Sequence, residues 1–154
     1  MWQNLIDTLD KLGGVYDELA KLGEQKRAAL VNVDMKRLSA LLDQEKHFAI
    51  KIQELEQNRL VLLKNLSSSD INAKELYKTA PQPAQAKLFE LHERLAENVQ
   101  RALKLRDDNQ VLAQCALAAA QMQLNKIGGA TVEPTYSGKG SDIVTHRKNF
   151  DFMA

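Results

Sequence analysis

Three histidines, one cysteine and one glycine–lysine stretch are the residues of this 154-residue chain whose types could carry chemistry. A zinc protease needs two imidazoles four positions apart, so that both leave one helical face, and His92-Glu93 is followed by no such second histidine. His47 and His146 have no Cys or His at ligand spacing, so no metal is expected. Gly138-Lys139-Gly140-Ser141 lacks the first glycine of a phosphate-binding loop, and its Ser is one place late. It reads as linker. Asp107-Asp108 and Glu54/Glu56 are adjacent or two apart on helical stretches, where they point to different sides and cannot share a proton. No catalytic residue and no cofactor is expected.

One competing chemistry is phosphoryl transfer. His47-Phe48-Ala49-Ile50-Lys51 resembles the exposed histidine site of helical phosphotransfer domains, but Ile52 stands where a glycine usually follows the lysine and would crowd a phosphoryl donor.

The elements that would position these residues are helices. Leu5, Leu9, Leu12, Tyr16 and Leu19 recur at steps of four and three, and so, after one break, do Leu38, Leu41, Phe48, Ile52, Leu55, Leu62 and Leu66. This puts one apolar stripe on each of two long helices, and a stripe free of catalytic groups is suited to holding another helix. The first helix spans about Gln3 to Leu30; Gly13, Gly14 and Gly23 within it point to a bend or, preferably, to close approach by a neighbour. Near Val31-Asn32-Val33 the stripe loses phase, and Asp34 is an N-cap for a second helix from Met35 to about Asn65. A turn this short makes the two antiparallel; the alternative is one continuous helix with a stutter.

Ser67-Ser68-Ser69-Asp70 ends the second helix. Asn72 and Glu75 have capping-box spacing for a short helix ending near Thr79, and Pro83 suits the start of the last and longest helix, to about Ile127. The seam of that helix carries Asn98 and Asn109, which either pin register through buried amides or sit at the water's edge. The fold class is therefore all-α: an elongated antiparallel three-helix bundle over residues 1–129 with a short extra helix in the 67–82 connection, followed by a flexible tail over 130–154.

Composition agrees. Only 5% of residues are aromatic, and 21 basic against 20 acidic residues leave a net charge of +1, too little to draw the chain to nucleic acid or to a membrane surface. No apolar window approaches the ~20 residues that cross a bilayer. Cys115, alone among Ala and Leu, reads as a small hydrophobe in a reducing compartment, hence a cytoplasmic protein.

Two surfaces stand out for binding. The last helix outreaches the others by ~20 Å, leaving Leu117, Met122, Leu124 and Ile127 with little to cover them. The tail keeps Ile143, Val144, Phe150, Phe152 and Met153, apolar groups that a merely solubilising segment does not need. They either order on a partner or fold back over the bundle.

The block Gln25-Lys26-Arg27-Ala28-Ala29-Leu30-Val31, then Asp34, Leu38 and Glu45, then Leu55-Glu56-Gln57-Asn58-Arg59, resembles the FlgN family of flagellar type III export chaperones. So does Asn109 taken with a glycine-rich tail holding Tyr136, Gly138 and Gly140. The resemblance implies a cytoplasmic chaperone that binds hook-associated proteins 1 and 3, prevents their premature assembly and delivers them to the export gate, with the export ATPase complex as a further partner. It implies a client held by the C-terminal region, and makes Tyr136 the candidate for the gate contact. The competing class is a structural coiled-coil subunit of a permanent complex, which would be oligomeric at all times.

Overall fold

In a computed structural model that describes residues 1–67, 70 and 72–128, the chain forms four helices: α1 (Trp2–Val31), α2 (Met35–Leu66), α3 (Ala73–Tyr77) and α4 (Gln82–Gly128). The expected order and bounds hold to within a residue or two. Among the described residues there is no strand.

Local chemistry sets the boundaries. At the hairpin, Asp34 N–H reaches Ala29 O and Val33 N–H reaches Leu30 O, a Schellman closure in which Val33 takes the left-handed position at φ 54. A β-branched residue there stores roughly 1–2 kcal/mol of strain where glycine would store little. Asp34 then caps α2 by accepting from Arg37 N–H at 3.1 Å. At α3 the expected capping box is only half present: Asn72 accepts from Lys74 N–H at 3.2 Å, whereas the Glu75 carboxylate pairs with Lys78 at 3.3 Å.

α1 is the central rod. It packs against both α2 and α4 and buries Leu5, Leu9, Leu12, Tyr16, Ala20 and Leu22, whereas in α2 only Leu41 and Ile52 are fully buried. α2 runs antiparallel to α1, as the Lys26–Glu45 and Asn58–Thr8 contacts require. α4 lies parallel to α1 in a nearly constant register. Asp10 meets Arg94, Gly13 O accepts from Asn98 Nδ2 at 2.9 Å, and Gly23 O accepts from Asn109 Nδ2 at 2.8 Å, at separations of 84, 85 and 86 residues. Both seam asparagines therefore pin register. Asn109 does so from 3% exposure, where a buried amide must find a partner.

The same contacts explain the glycines unequally. A Cβ at Gly23 would stand 3.1 Å from Leu105 Cβ, closer than a Cβ ordinarily sits, so α1 and α4 make a tight approach there; a Cβ at Gly14 would meet nothing within 4 Å. Gly14→Ala should raise stability by up to about 1 kcal/mol through helix propensity alone. Gly23→Ala should lower it, because the Leu105 Cβ is fixed to its backbone and the helices must separate. Thermal melts of the two variants moving in the same direction would contradict this packing.

α3 closes one end of the space between α2 and α4. Tyr77 is fully buried, lies edge-on to Phe89 and His92 of α4 with ring centroids 5.6 Å away, and its hydroxyl sits 3.2 Å from His92 Nδ1. Burial raises the Tyr77 pKa, and the charges of Arg59 and Glu56 on α2 also act on it, which places the ring between the two helices. Burial, helped by the Lys74 ammonium, holds the His92 pKa below its ordinary value, so the neutral ring can accept a hydrogen bond from the Tyr77 hydroxyl.

Candidate functional site

The exposed apolar surface concentrates at the end of the bundle away from α3. By the α1–α4 register, Val31 is level with about residue 117, so α4 continues some 16 Å beyond the last turn of α1. On that overhang Leu117 is 43% exposed, Met122 and Leu124 64%, and Ile127 83%. These are apolar groups that the chain's own described helices leave uncovered.

They do not form one stripe. Leu117 and Leu124 are seven apart and share a face, with Ile127 beside them, whereas Met122 lies about 140° around the helix from Leu117. Met122 instead shares its side with Val111, 58% exposed, eleven residues back. The overhang thus offers two faces, which composition could not separate. Cys115, expected to behave as a packed small hydrophobe, is exposed, because α4 has by then almost run out of neighbours.

The hairpin tip adds to this end. Val31, Val33 and Met35 are each more than 60% exposed, and the strained Val33 stands at the apex. Strain retained at an exposed apolar turn is a feature that packing does not explain.

Below the overhang, a cleft opens between α2 and α4. Tyr16, Leu19, Leu22, Gly23 and Lys26 of α1 form its floor; Glu45, Ala49 and Ile52 form one wall and Ala102, Leu103, Arg106 and Asn109 the other. Its interior volume of about 30 Å³ suits a water or two and no organic cofactor. Charged groups are drawn into it. Lys26 Nζ and Glu45 Oε2 pair at 2.6 Å with side chains 15% and 14% exposed, and Arg106 is equally sheltered and contacts Asp107 at 3.2 Å. Desolvation of Tyr16, reinforced by the Glu56 carboxylate against the opposing Arg59, pushes its hydroxyl up to about 12. Asn109 Oδ1, which faces away from its bond to Gly23, has no hydrogen-bond partner among the described residues.

Lys26 and Glu45 were given no site role from the sequence, where they stand only within the block that carries the family resemblance. A signal was present: both occupy stripe positions, Lys26 seven residues after Leu19 and Glu45 between Leu41 and Phe48, where an apolar residue was due.

Among the described residues no three His, Cys, Asp or Glu side chains gather where they could hold a metal. His47 is exposed on α2, and Ile52 turns to the core on another side of the helix, so the crowding anticipated there is absent. No described helix is long and apolar enough to cross a membrane. Tyr136, the Gly138–Ser141 stretch, Ile143, Val144, Phe150, Phe152 and Met153 lie outside the described residues.

The family described as FlgN protein matches residues 1–142. No curated protein matches, and no solved structure does.

Proposed function

Because the chain belongs to the FlgN family, a family of flagellar export chaperones, we propose that its clients are the hook-associated proteins 1 and 3, held in the cytoplasm before export. The observation that carries this reading is the overhang of α4. A helix that leaves Leu117, Leu124 and Ile127 uncovered beyond its own bundle offers the apolar face onto which an amphipathic client helix can lie. Subunits that polymerise through long terminal helices are kept apart when those helices are masked. Met122, on the second face and flexible, suits a surface that accepts more than one client.

To the residues Ile143, Val144, Phe150, Phe152 and Met153, apolar groups that follow α4 in the sequence, we assign a share of the client contact. Tyr136 belongs to the same 130–154 stretch, and we assign it the contact with the export gate. The export ATPase complex is a second station on the same route. Ordering a segment on binding costs free energy and moderates affinity, which suits a client that must later be released.

Removal of residues 130–154 tests the reading. The truncated chain should lose capture of hook-associated protein 1 in a pull-down from purified components while keeping its helical circular dichroism. Capture at full strength by the truncated chain would remove the tail from the client site.

A further inference from the structure

We propose that the overhang of α4 pairs with the overhang of a second copy of this chain, antiparallel, so that each copy covers the apolar end that the other leaves bare. Along α4 the wall of the cleft continues outward as a second seam. Leu103 and Arg106 line the cleft, and Gln110, Ala113, Leu117, Ala120, Leu124 and Ile127 follow at alternating steps of four and three. Two heptads before Leu103 and Arg106 the same seam holds Phe89 and His92, and there Tyr77 of α3 covers it. From Ala113 outward every member of the seam is exposed.

Three observations make a second copy the occupant. The seam is its own complement: when two such helices lie antiparallel about a two-fold axis between residues 118 and 119, Leu117 meets Ala120 and Leu124 meets Ala113, large against small. The bundles also fit. Val31 is level with about residue 117, so at this register the two hairpin tips meet end to end without overlapping, whereas a deeper overlap would drive them together. Finally, between Asn109 and Gly128 the only charge is Lys126, which stands off the seam. A charged partner finds nothing there to steer it, and a second copy finds nothing to repel it.

The α2 wall joins the contact. By the Lys26–Glu45 pair and the α1–α4 register, the exposed Leu42 and Met35 stand about level with Ala113 and Ala120 of their own α4, and hence with Leu124 and Leu117 of the second copy. An overlap of some twenty residues with these additions covers roughly 600 Å² per copy, at the lower limit of ~1,200 Å² in total for a specific stable interface. The pair is therefore reversible. It hides the leucines assigned to the client, so a client and a second copy exclude each other, and the free chaperone shields its own apolar surface until a client arrives. That consequence rests on the chaperone reading; the pairing itself does not.

Sedimentation equilibrium of the full chain tests the association, and disulfide trapping tests its geometry. The apparent mass should rise from monomer toward dimer as concentration increases from about 1 to about 200 µM. Leu124→Asp should raise the dissociation constant at least about tenfold with unchanged circular dichroism. Leu60→Asp, also exposed but on α2 near α3, should leave it unchanged. In a Cys115→Ala background, equal amounts of Ala113→Cys and Leu124→Cys chains under mild oxidation should give the mixed disulfide as about nine-tenths or more of cross-linked dimers, against about half for random encounter. A monomer mass throughout, equal effects of the two aspartates, or a mixed disulfide at the random share would overturn the proposal. Self-association by a chain that captures no hook-associated protein would sink the chaperone reading and leave the pairing intact; capture by a chain that stays monomeric would do the reverse.

Discussion

The double substitution Leu117→Asp with Leu124→Asp is expected to weaken binding of hook-associated protein 1 at least about a hundredfold and to leave the folded bundle intact. Each leucine is roughly half exposed or more on the overhang, so the free protein gives up little packing when it is replaced. In the complex each would be covered by a client helix, and the exposed parts of the two together amount to about one whole leucine, whose burial contributes about 1.5–3 kcal/mol, or one to two decades of affinity. The carboxylates add a desolvation penalty on the same side. Titration calorimetry against the client reads the affinity, and the melting midpoint checks the fold. Because Met122 faces elsewhere, Met122→Asp alone should cost less, and a larger loss from Met122 than from the pair would assign the client to the other face of α4.

Leu9→Ala should have the opposite signature, a large loss of stability with no direct effect on the client surface. Leu9 is fully buried in the central helix, within the core shared by α1, Ile52 of α2 and Leu88 and Leu91 of α4. Truncating such a leucine removes its transfer energy and leaves a cavity, at a cost of about 2–5 kcal/mol, a large fraction of the 5–15 kcal/mol typical of a domain. Urea denaturation should show the midpoint falling with an unchanged slope. Leu117→Ala in the same experiment should shift stability by no more than about 0.5 kcal/mol. A comparable loss at both positions would mean that the overhang is part of the core.

Much of this architecture was legible in the sequence because its determinants are local. Asp34 and Asn72 mark helix starts through hydrogen bonds made within a few residues, and the bounds they imply match α2 and α3 closely. The periodic leucines give the buried face of α1 directly. What they do not give is depth: α2 carries as regular a stripe as α1, yet most of it is only half buried, because α1 lies between two neighbours and α2 beside one.

The candidate site divides along the same line. Leu117, Leu124 and Ile127 were readable as uncovered, since helix length alone makes α4 outrun its partners. Their separation from Met122 follows from spacing too, since five residues turn a helix by about 140°, but the sequence reading grouped them by exposure and not by face. The cleft was missed because it depends on the parallel register of α1 and α4, which brings Gly23 to Asn109 across 86 residues and which no local pattern encodes. Asn98 and Asn109 were visible as residue types; the carbonyls they hold were not. The Glu75 half of the capping box was lost for a local reason, since Lys78 competes for Glu75 from one turn away.

The most direct test of the central claim mixes the purified full chain with hook-associated protein 1 and follows both the complex and the client's self-association by analytical ultracentrifugation. The account predicts a discrete complex of the two proteins and loss of client oligomers as the chaperone is added, both abolished by the Leu117→Asp, Leu124→Asp pair. A client that continues to self-associate in the presence of excess chain, with no complex at either hook-associated protein, would contradict it.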